Sequence, residues 1–134
     1  MIIVDTGPLV AFLNKDDVYH EWAVQQFNDL PTPFFTCEGT LIEASHLSKK
    51  KSDIATLLSL VSFGAIIIGF SVHQETENPK ELISKYKDVP MDLVDACLVR
   101  MSELYPDAEL LTIDSDFHIY RRNRTHQIPL IMPN

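Results

Sequence analysis

The sequence predicts an α/β fold of three layers, in which a central, mainly parallel sheet is covered by helices on both faces. Short apolar runs rich in Ile, Val, Phe and Leu recur at Ile2–Val4, Pro33–Thr36, Ala65–Phe70, Glu109–Ile113 and Ile128–Ile131. Runs this short and this apolar read as strands buried on both faces. Longer stretches with helical spacing separate them. Examples are Val18–Leu30, with Trp22, Phe27 and Leu30 as its stripe, and Met91–Leu104, with Leu93, Cys97, Met101 and Leu104. Alternating strand and helix implies parallel strands joined by helical crossovers. No linker, repeat or low-complexity tract interrupts the pattern, so residues 1–134 are expected to form one domain.

After the first strand comes Asp5-Thr6-Gly7-Pro8. Thr6 is suited to cap a helix and Pro8 to occupy its first turn, which leaves Asp5 at the carboxyl end of the strand. Glu43 falls about two turns into the helix that follows the second strand, among Leu41, Ile42, Ala44 and Leu47. Lys49, Lys50 and Lys51 are expected to end that helix, where the dipole favours cations. After Pro90 a further helix begins with Asp92 and Asp95 in its first turn, a spacing that also makes a capping box. Asp114 follows the Glu109–Ile113 strand and opens Asp114-Ser115-Asp116-Phe117 into a short helix. Parallel strands would put Asp5 and Asp114 on one edge, the carboxyl edge where open α/β sheets bind ligands.

The composition, 46% hydrophobic and 22% charged, is that of a globular chain, and 134 residues suffice to bury a core without staples. Cys37 and Cys97 are read as buried, inert thiols in a reducing, cytoplasmic setting. The longest nearly apolar run, Val61–Phe70, reaches about half of a membrane span. A count of 19 Asp and Glu against 11 Lys and Arg gives a net charge of −8, which by itself argues against a nucleic-acid binder. The excess acid is confined to the first 116 residues, because residues 117–134 hold Arg121, Arg122 and Arg124 and no carboxylate. That strip reads either as a solvated face or as a basic rim beside an acidic site.

Carboxylates brought together repel and raise one another's pKa unless a cation compensates. Oxygen-only ligation selects magnesium or manganese over zinc or copper, and such sites serve phosphoryl chemistry. No Gly-rich phosphate loop, Gly-x-Ser-x-Gly elbow or metal-spaced His pair offers another catalytic logic. Taken singly, each acid has a plainer reading: Asp5 ends a strand, Asp92 and Asp114 cap helices, and Glu43 lies on a solvated face.

Four segments taken together are more specific. Ile2-Ile3-Val4-Asp5-Thr6-Gly7-Pro8-Leu9-Val10-Ala11, Leu41-Ile42-Glu43-Ala44, Met91-Asp92-Leu93-Val94-Asp95-Ala96-Cys97-Leu98-Val99 and Leu111-Thr112-Ile113-Asp114-Ser115-Asp116-Phe117 cover nearly the whole chain. In that order and spacing the sequence resembles the PIN domain, and more narrowly the VapC-type toxin ribonucleases of toxin–antitoxin pairs. The resemblance implies an α/β/α sandwich and a magnesium- or manganese-dependent endoribonuclease leaving 5′-phosphate and 3′-hydroxyl ends. Asp5, Glu43, Asp95 and Asp114 align with the family's acidic quartet, Asp116 with a frequent fifth acid and Asp92 with an acid of some members. Asp5, Asp95, Asp114 and Asp116 would then hold metal, directly or through water, and Glu43 would position the cation or the attacking water. Thr6 is expected to cap its helix or to orient Asp5. Arg121, Arg122 and Arg124, with Tyr120 for stacking, are the first candidates for RNA contact, followed by Lys49–Lys51; His118 and His126 read as surface residues. The resemblance also implies an RNA substrate, a homodimer and a small antitoxin seated on apolar surface from Val18–Leu30 and Ile54–Val61. Ser115 stands where many relatives carry a basic residue. The competing readings are a PIN-like metal-binding interaction module without nuclease activity and a magnesium-dependent phosphoacceptor domain. The missing acidic pair after the first strand disfavours the latter.

Overall fold

The computed structural model describes residues 1–134. Five parallel strands form the sheet: β1 (Ile2–Val4), β2 (Phe34–Thr36), β3 (Ile66–Ile68), β4 (Glu109–Leu111) and β7 (Leu130–Ile131), in the spatial order β3-β2-β1-β4-β7. Between them run α1 (Thr6–Leu13), α2 (His20–Asp29), α3 (Glu38–Leu47), α4 (Lys51–Ser62), α5 (Glu77–Lys85) and α6 (Leu93–Leu104). A 3-10 turn at Ser115–His118 and an antiparallel hairpin of β5 (Arg121–Arg122) and β6 (His126–Gln127) precede the last strand. This is the expected α/β/α sandwich.

Alternation along β1 divides the core into two layers. Ile3 and Leu110 enter one cluster, with Ala96, Cys97, Leu98, Val99 and Met101 of α6 and with Phe117 and Tyr120. Ile2, Val4 and Leu111 enter the other, with Leu9 of α1, Ala44 of α3 and Leu57 of α4. Trp22, Phe27 and Leu30 pack on this second cluster, as the stripe of the second helix predicts. All three residues of β1 are buried, which is why the strand is apolar on both faces.

Several elements are shorter than the apolar runs suggest, for identifiable reasons. Proline has no N–H, so β2 starts at Phe34 rather than Pro33, and β7 at Leu130 rather than Ile128. β4 ends at Leu111, although the Thr112 N–H still donates to the Ile131 carbonyl at 3.1 Å and its hydroxyl reaches Asp5 Oδ2. α6 begins at Leu93, with Met91 and Asp92 outside it. Its buried face is Ala96 to Val99, Met101 and Ser102, whereas Leu93 and Leu104 of the predicted stripe are exposed. Lys49–Lys51 does not end a helix: α3 stops at Leu47, Lys50 caps α4 and Lys51 is its first residue. No helix is long and apolar enough to cross a membrane.

Strand order sets the site. β2 and β3 lie on one side of β1, β4 and β7 on the other, so successive connections leave β1 and β4 in opposite directions. A crevice opens at the carboxyl ends of strands where such a reversal occurs. Asp5 follows β1, Asp114 follows β4, and β1 and β4 are hydrogen-bonded neighbours in the register Val4 to Leu111.

Candidate active site at the sheet switch point

Asp5 is itself the N-cap of α1. Its backbone is extended (φ −85°, ψ 170°) and Oδ1 accepts from the Thr6 N–H at 2.7 Å. Thr6, expected as the cap, is instead the first helical residue, and its buried hydroxyl has no partner. The second oxygen, Oδ2, accepts from the hydroxyl of Thr112 at 2.7 Å. The residue that orients Asp5 is therefore Thr112, which the sequence signals only as a hydroxyl at the end of an apolar strand.

Asp92 caps α6 in a complete capping box: its Oδ1 accepts from the Asp95 N–H at 2.9 Å, and Asp95 Oδ2 accepts from the Asp92 N–H at 3.1 Å. Asp114 caps the 3-10 turn, with Oδ1 accepting from the Asp116 N–H at 2.9 Å. Caps and acidic cluster are thus the same residues. Glu43 stands half-buried on α3. One open depression is lined by six carboxylates, those of Asp5, Asp17, Glu43, Asp92, Asp95 and Asp114, together with Tyr19, Leu47, Pro90, Val10 and Ile113. Asp17 and Tyr19, from the segment between α1 and α2, join the lining without any signal in the sequence. Asp116 is not part of this lining and sits in the turn behind Asp114.

No Lys, Arg or His lines the depression. Burial pushes the Asp5 carboxyl up to about 6 against the hydrogen bonds of Thr112 and Thr6, and the charges of Asp114 and Glu43 add to the rise. Burial likewise carries Asp95 to about 7, with Asp92, Asp5 and Asp114 repelling its charge. The donor set suits a hard divalent cation, being carboxylate oxygen throughout. In this pose each of Asp5, Asp92, Asp95 and Asp114 commits an oxygen to a main-chain N–H, and no three His, Cys, Asp or Glu side chains stand close enough to share an ion.

The basic strip lies elsewhere. Arg121 Nη1 donates to the carbonyls of His118, Ile119 and Tyr120, and Arg122 Nη1 to those of Ser102 and Pro106. Arg124, exposed at φ 72° in the hairpin turn, lines a separate depression with Lys85, Glu81 and Glu103. Tyr120 cannot stack on a base from solvent. It is fully buried, edge-on to Tyr86 at 5.2 Å and to Phe117 at 5.3 Å. His118 and His126 are exposed, as expected. Cys37 and Cys97 are free, buried thiols, and the fold brings them into one core cluster.

Residues 2–123 match the family model of the PIN domain. The chain belongs to the PIN domain family. A similar solved structure is the crystal structure of Mycobacterium tuberculosis VapC20, described as a sarcin-ricin loop cleaving toxin. The two share 17% sequence identity over 87% of this chain and 92% of that one, with a TM-score of 0.73. This likeness is one of fold. No curated protein matches the sequence. Within the PIN domain all four acids of the expected quartet, Asp5, Glu43, Asp95 and Asp114, line one depression.

Proposed function

We propose that the chain is a divalent-metal-dependent endoribonuclease of the toxin type, with Asp5, Glu43, Asp95 and Asp114 as its catalytic acids. Membership of the PIN domain family supports a nuclease-type hydrolase as the general class. The observation that carries the finer reading is the convergence of carboxylates from distant segments on one crevice where no cation of the chain answers them. Asp5, Asp95 and Asp114 would hold magnesium or manganese only by drawing their carboxylates closer together than they stand now, and the ion supplies Lewis-acid polarisation of a phosphate oxygen when bound. Asp116, behind Asp114, adds negative field rather than a direct ligand, and Asp92 keeps Asp95 in place through the capping box. Thr112 fixes the rotamer of Asp5. Glu43 orients the attacking water, and in-line hydrolysis leaves 5′-phosphate and 3′-hydroxyl ends.

RNA is the proposed substrate, and the structural neighbour's description as a sarcin-ricin loop cleaving toxin supports that class. A small antitoxin is the proposed partner. An apolar cleft lined by Leu9, Phe12, Phe27, Phe34, Leu60 and Ile66 offers it a seat. A homodimer and a cytoplasmic setting complete the reading, and residues 1–134 are taken as one domain. One observation favours a second reading, a PIN-fold binding module without nuclease activity: nothing basic lines the depression.

Purified protein incubated with structured and unstructured RNA decides between them. Cleavage with magnesium or manganese, lost with EDTA and lost in Asp5→Asn with an unchanged circular-dichroism spectrum, is the expected result. Metal-induced stabilisation without cleavage of any RNA would establish the binding module instead. Expression of the chain alone is expected to slow growth, and harmless overproduction of folded protein would count against the toxin assignment.

A further inference from the structure

Cys37 and Cys97, expected to be inert, are the buried nucleophiles that the acidic site leaves unused. Cys37 follows β2 as the N-cap of α3, and Cys97 lies in the second turn of α6. Both thiols are free and 2% exposed, and they share one core cluster. Gly39 lets the start of α3 press against α6, since a methyl group there would stand 3.0 Å from Val94 Cγ2 and 3.8 Å from Cys37 Sγ. This close approach makes the two thiols hydrogen-bond neighbours, with Thr40 Oγ1 3.5 Å from Cys37 Sγ. A cleft separate from the acidic depression gives onto the pair. Cys37, Gly39, Phe70, Val94 and Cys97 wall it, and half-exposed Val72 and Leu93 form its rim.

We propose that Cys37 and Cys97 are an oxidation site, which a peroxide closes into a disulfide bond that clamps the start of α3 to α6. The hydrogen bond of Cys97, with those of Thr40 and the Gly39 amide, holds the Cys37 thiol below the usual range against its burial, so Cys37 is the attacking sulfur. Its thiolate attacks one oxygen of hydrogen peroxide: the S–O bond forms, the O–O bond breaks, and the hydroxide released takes up the proton that Cys37 had lost. The Cys97 sulfur then displaces the sulfenic oxygen, the S–S bond forms, and the oxygen leaves as water with the Cys97 proton. One peroxide and two thiols give one disulfide and two waters, each sulfur supplying one electron. Where glutathione keeps thiols reduced, such a bond is transient and serves as a sensor rather than a staple. Glu43 rides on α3 and Asp95 on the first turn of α6. Asp95 must move toward Asp5 and Asp114 to share an ion with them, and a covalent bond two residues further along α6 resists that movement. The oxidised chain therefore has the weaker metal site, a consequence that rests on the metal-dependent reading above.

The full chain, reduced and freed of reductant, is exposed to hydrogen peroxide while its thiols and mass are followed. Both thiols are expected to disappear together with a mass loss of two hydrogens, a peptide map should join Cys37 to Cys97, and dithiothreitol should restore both. Cys97→Ala should stop at a sulfenic acid on Cys37, which dimedone traps, and Cys37→Ala should leave Cys97 reduced under the same exposure; circular dichroism checks that each variant is folded. Retention of both thiols in the unaltered chain, separate oxidation of each without a link, or a link between two chains overturns the proposal. Magnesium affinity, read from melting shifts of the reduced and oxidised chain, is expected to be weaker in the oxidised form by roughly five-fold or more, the lower end of coupling between linked sites. Equal affinity in the two forms overturns the clamp. If the disulfide forms while neither form binds magnesium or manganese, the metal-dependent reading is wrong and the oxidation site stands; if the metal binds and RNA is cut while no disulfide forms, the nuclease stands and the oxidation site is wrong.

Discussion

Thr112 and Asp5 lie 107 positions apart in the chain and are joined by a 2.7 Å hydrogen bond across the switch point, from Thr112 Oγ1 to Asp5 Oδ2. The same hydroxyl accepts from the Asp114 N–H at 3.0 Å, so one buried side chain positions both strand-end acids. Thr112→Val keeps the shape and removes both bonds, leaving a buried carboxylate oxygen and an amide unpaired. Such losses cost about 1–3 kcal/mol. Denaturant unfolding is expected to show that loss, with Thr112→Ser close to the parent, and the Asp5 pKa should rise further in the Val variant.

The raised pKa of Asp5 fixes the sign of a pH effect. A carboxyl that titrates at about 6 in the folded chain and near 4 when unfolded binds its proton more tightly in the fold. Its contribution to stability is therefore fully present below about pH 4 and lost as the pH rises through about 6. Metal-free Asp5→Asn should be more stable than the parent at pH 8, by roughly 1–3 kcal/mol, and level with it at pH 4. Thermal melts at the two pH values check this. A variant less stable at pH 8 would show that the charge is compensated.

Asp95 is both a cap partner and a member of the cluster, and two variants separate the roles. Asp95→Asn retains an oxygen for the Asp92 N–H while removing a charge that burial and three neighbouring acids disfavour. It should raise the metal-free melting temperature above pH 7, shrink the shift on adding magnesium and abolish cleavage. Asp92→Ala loses the cap and should destabilise metal-free and metal-loaded protein alike, by about 1 kcal/mol.

Metal binding should release protons. With Asp5 at about 6 and Asp95 at about 7 in the metal-free chain, a divalent cation displaces protons that both carboxyls still carry in part near pH 6. Magnesium affinity is expected to climb between pH 5 and 7 and level off above about pH 8. Isothermal titration in buffers of different ionisation enthalpy reads the proton count directly, and pH-independent affinity would place the ion elsewhere.

Tyr120→Phe tests the burial of a side chain that its sequence neighbours suggest is a surface group. The Tyr120 hydroxyl is buried without a partner, and burial together with Asp95, Asp116 and Asp114 pushes its pKa up. Removing it should leave stability unchanged or raise it by up to about 1 kcal/mol, with RNA affinity unaltered. A drop in RNA affinity would mean that the ring reaches substrate.

The sandwich, the parallel strands and the acids at their ends are legible in the residues themselves. Apolar alternation and cap spacing are local signals, written within a few residues of Asp5, Asp92, Asp95 and Asp114, and the strand ends they mark define one edge of any parallel sheet. Even the contest between cap and cluster was visible there, and the structure resolves it by giving Asp92, Asp95 and Asp114 both positions. Packing between distant segments settles that Thr112 and not Thr6 holds the second oxygen of Asp5, that Tyr120 is core, that Arg121 and Arg122 are bound to carbonyls, and that Tyr19 joins the acids. The reason is physical. Burial and long-range hydrogen bonds are properties of pairs of segments, and a side chain's own neighbours in sequence carry no record of which distant strand or helix will pack against it.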